Sequence, residues 1–454
     1  MELHLWNSEN RKAKHQQKHN SDLRNVKKIL VITYYWPPSG GAGVQRTLKF
    51  VKYFPQLDVK PYVITVDPQK ASYPVVDETL LSEVAKDLSI YYTDSFEPLN
   101  ILGGIVGKNK VPYGGFANKN KETFFQTSLR WIRGNFFIPD ARVGWVKYAF
   151  EKAEEIIKRE NIDTVYISSP PHSTQLIGLK LKEKFPNIRW IADMRDPWTD
   201  IYYYKDLLHT SIAKNIDAKY EKKVLEGADA LIVVSDAIKR TFAAKIKSGS
   251  SDKIHVIPNG YDERDFIDQV EKDSSATYIT YVGTMADTYK PEIFFTALKN
   301  CIEEYPEKKI KFRFVGATPW TIKEKAKELG IEESCEWIGH VDHGQAIQYM
   351  RKSDYLLLII PDAQGAEGIL TGKLFEYLGS GKPIIGIGPK QGDAAKIIDR
   401  CEAGKMFERT EGEAMQQWMK EIMKLELGQS FGNTNVKDYE RQQLTKTLTQ
   451  VLIK

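Results

Sequence analysis

Long hydrophobic runs, cysteines and a strong charge of either sign are all scarce in this sequence, and each scarcity excludes something. No apolar segment of the 454-residue chain approaches the roughly 20 residues that a bilayer-spanning helix requires. Cys301, Cys335 and Cys401 are an odd set without metal-ligand spacing. A disulfide scaffold and a zinc site are therefore not expected; a reducing cytosol and core positions for the thiols are. A formal net charge of +5 leaves no electrostatic footprint for nucleic acid. No secretory leader is expected either: residues 1–27 are polar, rich in Lys, His, Asn and Gln, and read as a mobile basic tail.

What is present is a chain too long for one ordinary core, in which short apolar strands alternate with helical patterns. Lys28 to Thr33, a helix over Val44 to Phe54 and a strand over Val59 to Val66 give a βαβ opening. The intervening Pro37-Pro-Ser-Gly-Gly-Ala-Gly43 places Gly40 and Gly41 in a loop whose backbone either approaches a ligand or makes a tight turn. Gly41, Gly43 and Asp67 form an incomplete dinucleotide fingerprint, because Arg46 stands where a third glycine belongs.

From about 91 to 148 the periodicity fades. Residues 124–147 there interleave aromatic rings with Arg and Lys, which suits either an anionic membrane surface or an insertion packed on the core. Regular structure then resumes. Its strand ends carry His172 in Ser169-Pro-Pro-His-Ser173, and Arg195 and Asp196 in Asp193-Met-Arg-Asp-Pro-Trp198. The second cluster is either a functional site or a salt-bridged corner.

The turn-rich Pro258-Asn-Gly-Tyr-Asp262 marks a boundary between units at 28–258 and 259–435, each its own βα series. A helix within 436–454 is expected to fold back across the first unit. In the second unit, Glu367-Gly-Ile-Leu-Thr-Gly-Lys-Leu-Phe-Glu376 links an apolar strand to a helix stopped by Gly379-Ser-Gly381. Lys373 fits badly in that helix's first turn, where the unsatisfied N–H groups carry partial positive charge. A bound phosphate would reverse the sign of this misfit, favoured by the free N–H groups, Gly372 and Lys373. Glu376 shares the face one turn on and suits ribose hydroxyls; a solvated Lys/Glu pair is the plain alternative.

Four stretches, Pro37 to Gly43, Ala228 to Ser235, Val256 to Gly260 and Glu367 to Pro383, together resemble the GT-B glycosyltransferases. The likeness is to the retaining family-4 type, in the subgroup that builds bacterial surface polysaccharides. It implies an α/β fold of two Rossmann-like domains facing a cleft, with the C-terminal helix returning to the first. It also implies transfer from a nucleotide-sugar donor to a glycan or lipid-linked acceptor, with no cofactor and no metal, at the cytosolic membrane face. Thr371, Gly372 and Lys373 would then hold the diphosphate, Glu376 the ribose and Glu367 the donor sugar. Gly41 would face them across the cleft, and Arg195, Asp196 and His172 would face the reacting sugar and acceptor.

Two departures stand out. Eight residues separate Glu367 from Glu376 where the family has seven, so Gly368 occupies the expected glutamate position. Thr284 replaces the usual arginine after the second unit's first strand, leaving Lys290 as a substitute. The competing readings are a nucleotide-sugar epimerase of the same plan, a nicotinamide dehydrogenase, and a catalytically silent nucleotide-sugar-binding protein.

Overall fold

Short β-branched strands buried on both faces, each followed by an amphipathic helix, can satisfy their backbones only as parallel sheets covered on two sides. The computed structural model contains two such sheets and describes residues 26–97, 124–247, 251–268, 270–271, 274–285, 289–424 and 432–454. The first takes β1 (Lys27–Ile32), β2 (Val59–Val66), β3 (Ser89–Thr93), β4 (Thr164–Ser169), β5 (Arg189–Met194), β6 (Ala230–Val233) and β7 (Ile254–Val256). Its order is β3-β2-β1-β4-β5-β6-β7. The second takes β8 (Tyr278–Val282), β9 (Lys311–Val315), β10 (Cys335–Gly339), β11 (Tyr355–Ile359), β12 (Ile384–Ile387) and β13 (Gly404–Phe407), in the order β10-β9-β8-β11-β12-β13.

The helices around the first sheet are α1 (Ala42–Tyr53), α2 (Phe124–Phe136), α3 (Val146–Glu160), α4 (Gln175–Lys184), α5 (Ser211–Gly227) and α6 (Asp236–Lys245). The second has α7 (Glu292–Glu304), α8 (Trp320–Glu328), α9 (His343–Lys352), α10 (Gly372–Ser380), α11 (Asp393–Arg400) and α12 (Gly412–Lys424). A last helix, α13 (Arg441–Ile453), returns to the first unit, where Leu444, Leu448, Val451 and Leu452 join the core beside Leu48 and Val51 of α1. The chain thus crosses between units twice. The crossings are bonded to each other, Tyr261 N–H to Tyr439 O at 3.1 Å and Arg441 N–H to Tyr261 O at 2.8 Å.

Strand order reverses between β1 and β4 in one sheet and between β8 and β11 in the other. Neighbouring loops diverge at such points, leaving a crevice beyond the strand ends where ligands bind in open α/β sheets. Both reversals carry the residues singled out by sequence: the loops after β1 and β4 hold Gly41 and His172, and those after β8 and β11 hold Lys290 and Glu367 to Thr371, with Gly372 and Lys373 opening α10.

Several expectations change in detail. Lys27, assigned to the tail, opens β1, while 1–25 lie outside the described residues. The irregular stretch contains a strand of the sheet, β3, whose residues pair with Tyr62 to Val66; residues 98–123 lie outside the described residues. Residues 124–147 divide. Trp145 is fully buried and donates its indole N–H to Thr93 Oγ1 at 2.7 Å, and Arg142 donates to Ser72 O at 2.7 Å and lies over Tyr34. Trp131 and Phe136 are exposed. Cys301 and Cys401 are in the core, whereas Cys335 on the edge strand β10 is only partly covered.

Candidate functional site

The start of α10 is open. Thr371 occupies its N-cap position, yet its hydroxyl caps nothing and is buried without a partner, and the first turn holds no acid. Free N–H groups, an unspent hydroxyl and a nearby cation make an anion site. That cation is Lys373, whose Nζ donates to Tyr281 Oη at 2.7 Å and lies 4.5 Å and 5.6 Å from the ring centres of Tyr281 and Tyr289. Among the described residues no carboxylate forms an ion pair with it. Burial pulls its pKa down to about 8 against the pull of the Glu376 charge. A desolvated ammonium resting on two rings has a strong unmet demand for negative charge.

Glu376 lies one turn on, three-quarters covered, with Oε1 3.2 Å from His343 Nε2 at the start of α9. Burial lowers the imidazole's pKa, but the bonded Glu376, with Asp265 behind it, outweighs burial and leaves it above the ordinary histidine value. Oε2 of Glu376 has no protein partner among the described residues. Sequence reasoning missed His343, Tyr281 and Tyr289. Asp342, a helix-capping residue, marks the start of α9, but nothing in the sequence pairs position 343 with 376.

Glu367 and Gly368 sit in a single 3-10 turn, Ala366–Gly368, entered through Gly365 at φ 78°. Glu367 is exposed. Gly368 presses against the other unit: a Cβ here would lie 2.8 Å from Ala237 Cβ in α6. A glutamate therefore does not fit at 368, which gives the one-residue shift a steric cause. Asp393, at the start of α11, reaches across the same seam and accepts the N–H of Ala237 at 2.8 Å. Lys290, the expected substitute cation, is exposed and paired with Asp362 at 2.5 Å. Thr284 supplies only its carbonyl, to the Tyr281 hydroxyl at 3.0 Å.

The first unit uses its polar residues differently. Arg195 is buried, donating to Ser169 O at 2.8 Å, Gly43 O at 2.6 Å and Pro170 O at 3.1 Å. Its guanidinium braces the two loops of the reversal, so each of its three nitrogens already has a backbone partner. Asp193 and Arg46 form a fully buried pair at 2.9 Å, with the Tyr166 hydroxyl on the same carboxylate at 2.7 Å. Arg46 also donates to Ile257 O and Pro258 O, both at 2.9 Å, tying the cluster to the domain boundary. The salt-bridged corner thus describes Asp193. Asp196 is partly buried, and desolvation raises its carboxyl pKa.

His172 stacks on Trp198 with ring centres 4.8 Å apart, and its Nδ1 is buried without a partner. Burial takes its pKa down to about 4, so it is a neutral imidazole at pH 7. Gly40 is packed, with its N–H on Val75 O and its Cβ position 3.0 Å from Val75, so it does not offer the close backbone approach expected of it. Gly41, at φ 96° and the N-cap of α1, faces open space. Asp67 accepts the N–H of Gln69 at 2.9 Å on Oδ1 in a local turn.

Comparison with known proteins follows the same division. Residues 114–265 match the model of Glycosyltransferase Family 4 and residues 262–438 that of Glycosyl transferases group 1. A candidate teichuronic acid biosynthesis glycosyltransferase, TuaH of Bacillus subtilis (strain 168), is 22% identical over 203 residues, 43% of this chain and 49% of the relative. The match thus spans about half of that relative's length. A glycosyltransferase structure from Rickettsia africae ESF-5 superposes with a TM-score of 0.59 at 16% identity, covering 94% of this chain and 98% of its own. A candidate UDP-N-acetylglucosamine 2-epimerase from Listeria monocytogenes gives 0.53 at 12% identity, with 93% and 94% covered. The two solved structures share the fold, and both matched domain families are those of glycosyltransferases.

Proposed function

The chain belongs to the GT-B glycosyltransferases, and we propose that it transfers a sugar from a nucleotide diphosphate donor to a glycan or lipid-linked acceptor in cell-surface polysaccharide synthesis. The observation that carries this reading is the open start of α10, where, among the described residues, the buried Thr371 hydroxyl and the Lys373 ammonium both lack an anionic partner.

In this reading the donor diphosphate lies on the N–H groups of Gly372 and Lys373, the Thr371 hydroxyl and the Lys373 ammonium. Glu376, fixed through Oε1, accepts ribose hydroxyls on Oε2. As the glycosidic bond lengthens, negative charge builds on the leaving diphosphate, and donors already aimed at it stabilise that charge more than the ground state. This arrangement supports metal-independent departure. Glu367, exposed beside the seam, contacts the donor sugar, and Gly41 backs the diphosphate from the first unit. His172, as a neutral imidazole, faces the acceptor together with Asp196. Transfer proceeds with retention by front-face displacement: the leaving phosphate takes the acceptor proton, and no opposite-face carboxylate pair is required. The acceptor is met at an anionic membrane surface.

A thermal-stabilisation screen of UDP, GDP, ADP and dTDP sugars, followed by transfer of the labelled sugar to membrane lipid extract, tests the proposal. Stabilisation together with a labelled lipid product is expected. Stabilisation with only donor hydrolysis, or with no turnover, favours the silent binder, and interconversion of free nucleotide sugars favours the epimerase.

A further inference from the structure

Two surface helices of the first unit treat their cations in opposite ways. On α3 each of Lys147, Lys152, Lys158 and Arg159 pairs with a glutamate three or four residues away. On α5 the acids Asp217 and Glu221 point inward, to Trp198 and Tyr204, and to Thr199 and Lys245. Its outward side keeps Lys219, Lys222 and Lys223, none in an ion pair among the described residues, against a single exposed acid, Glu226, while Lys214 is exposed on the far flank. At about 100° per residue, Ile212, Ile216, Lys219 and Lys223 fall within about 60° of one another, forming one stripe. Ile212 is 73% exposed and Ile216 39%.

The apolar end of this stripe continues onto α2. Asn135 donates to Leu208 O at 3.1 Å and accepts the Thr210 N–H at 2.7 Å, locking the end of α2 to the start of α5. Beside that junction Trp131 is 43% exposed and Phe136 70%, with ring centres 5.9 Å apart. Large exposed apolar side chains gathered on one surface mark an interaction site. Here unpaired lysines border them, and the partner they fit offers hydrocarbon beneath a layer of negative charge.

We propose that α5, with the adjoining end of α2, is the surface by which this protein lies on an anionic lipid bilayer, Ile212, Ile216, Trp131 and Phe136 entering the headgroup region and the α5 lysines meeting lipid phosphates. This deepens the membrane contact in the proposed function and rests on it. It also moves the contact from the whole of 124–147 to a helix that sequence periodicity did not single out. The opposite face of α5 is occupied by the core through Val224 and Leu225, so the helix docks by its outer stripe without leaving the fold.

The test is co-sedimentation of the full chain with vesicles of phosphatidylcholine alone or with roughly 30% phosphatidylglycerol, at about 50 and about 500 mM NaCl. Wild type is expected to bind only the anionic vesicles, and at least about tenfold less at high salt. Triple replacement K219E/K222E/K223E and the pair I212S/I216S should each lower binding about tenfold, with unchanged thermal melts. K152E/R159E on α3 should leave binding unaltered. Retained binding in both α5 variants, or equal salt-insensitive binding to neutral vesicles, overturns the proposal. So does a wild-type dimer that I212S/I216S converts to monomer without affecting vesicle binding, which would make the stripe a contact between copies. Nucleotide stabilisation is read on the same samples: its absence with vesicle binding intact rejects the transferase reading and leaves the lipid surface standing.

Discussion

At the first sheet's reversal the Arg195 guanidinium is held by three backbone carbonyls and the Asp193 carboxylate is closed by Arg46 and Tyr166; at the second, among the described residues, the Thr371 hydroxyl has no partner and Lys373 has a phenol and two aromatic rings but no carboxylate in an ion pair. Two crevices of the same topological origin thus hold polar side chains in opposite conditions. A charge already satisfied contributes to the architecture; one left partly unsatisfied raises the free energy of the empty protein and is available to a ligand. Polar residues at a strand end are therefore informative about function only once their hydrogen bonds have been traced.

The comparison fails if the satisfied cluster proves dispensable. Asp193→Ala leaves Arg46 buried and unpaired, and a loss of about 3–5 kcal/mol in urea denaturation is expected. A loss below 1 kcal/mol would place this pair with weak surface bridges. Lys373→Met should separate function from stability. Nucleotide diphosphate affinity by calorimetry should fall by about 2–3 kcal/mol, while the ligand-free protein gains about 1 kcal/mol at pH 7 through loss of a desolvated ammonium. The sign can be checked with pH. The folded-state pKa, about 8, lies below the unfolded value of about 10.4, so the unfolded chain binds more protons between them. The Lys373 contribution therefore makes wild type gain stability relative to Lys373→Met as pH rises through that window.

Glu376→Ala should weaken nucleotide binding by about 1.5–3 kcal/mol and narrow the preference for UDP over 2′-deoxy-UDP, with little change in melting. Arg195→Ala should do the reverse, costing about 2 kcal/mol of stability through three unpaired carbonyls and leaving nucleotide affinity unaltered. The smallest effect belongs to His343→Gln, about 0.5–1 kcal/mol in nucleotide affinity, because the pair is partly solvent-screened. Since the His343 pKa is raised, the charged bridge to Glu376 is present below the raised value and lost above it. Wild-type affinity should therefore decline more steeply with rising pH than that of His343→Gln, whose remaining pH dependence comes from loss of the Lys373 charge near pH 8.

Much of the fold was legible because its signals are local. Val59 to Val66 and Ile384 to Ile387 are short runs rich in β-branched residues and bounded by turn residues, and the strands occupy those residues. β3 was not legible: Ser-Ile-Tyr-Tyr-Thr looks like any aromatic stretch, and its pairing with β2 is what makes it a strand. At the site, Lys373 could be singled out because a lysine in the first turn of a helix conflicts with the local dipole. Arg195 and Arg46 broke no local rule, and their partners lie far along the chain, so sequence left their roles open. His343 escaped for the same reason. Gly368 shows a third case, in which the motif spacing pointed to the right place and only the approach of Ala237 explained why it was shifted.

The return of α13 carries a consequence for how the molecule is made. Leu444, Leu448, Val451 and Leu452 close the face of the first sheet that α1 leaves uncovered. Those residues are translated after the whole of the second sheet. The first unit therefore emerges from the ribosome with an open apolar face and must wait, incompletely folded, while the second is synthesised and folds. Its core closes only when α13 arrives, so the order of assembly is the reverse of the order of synthesis, and the unit made first is the last to be finished.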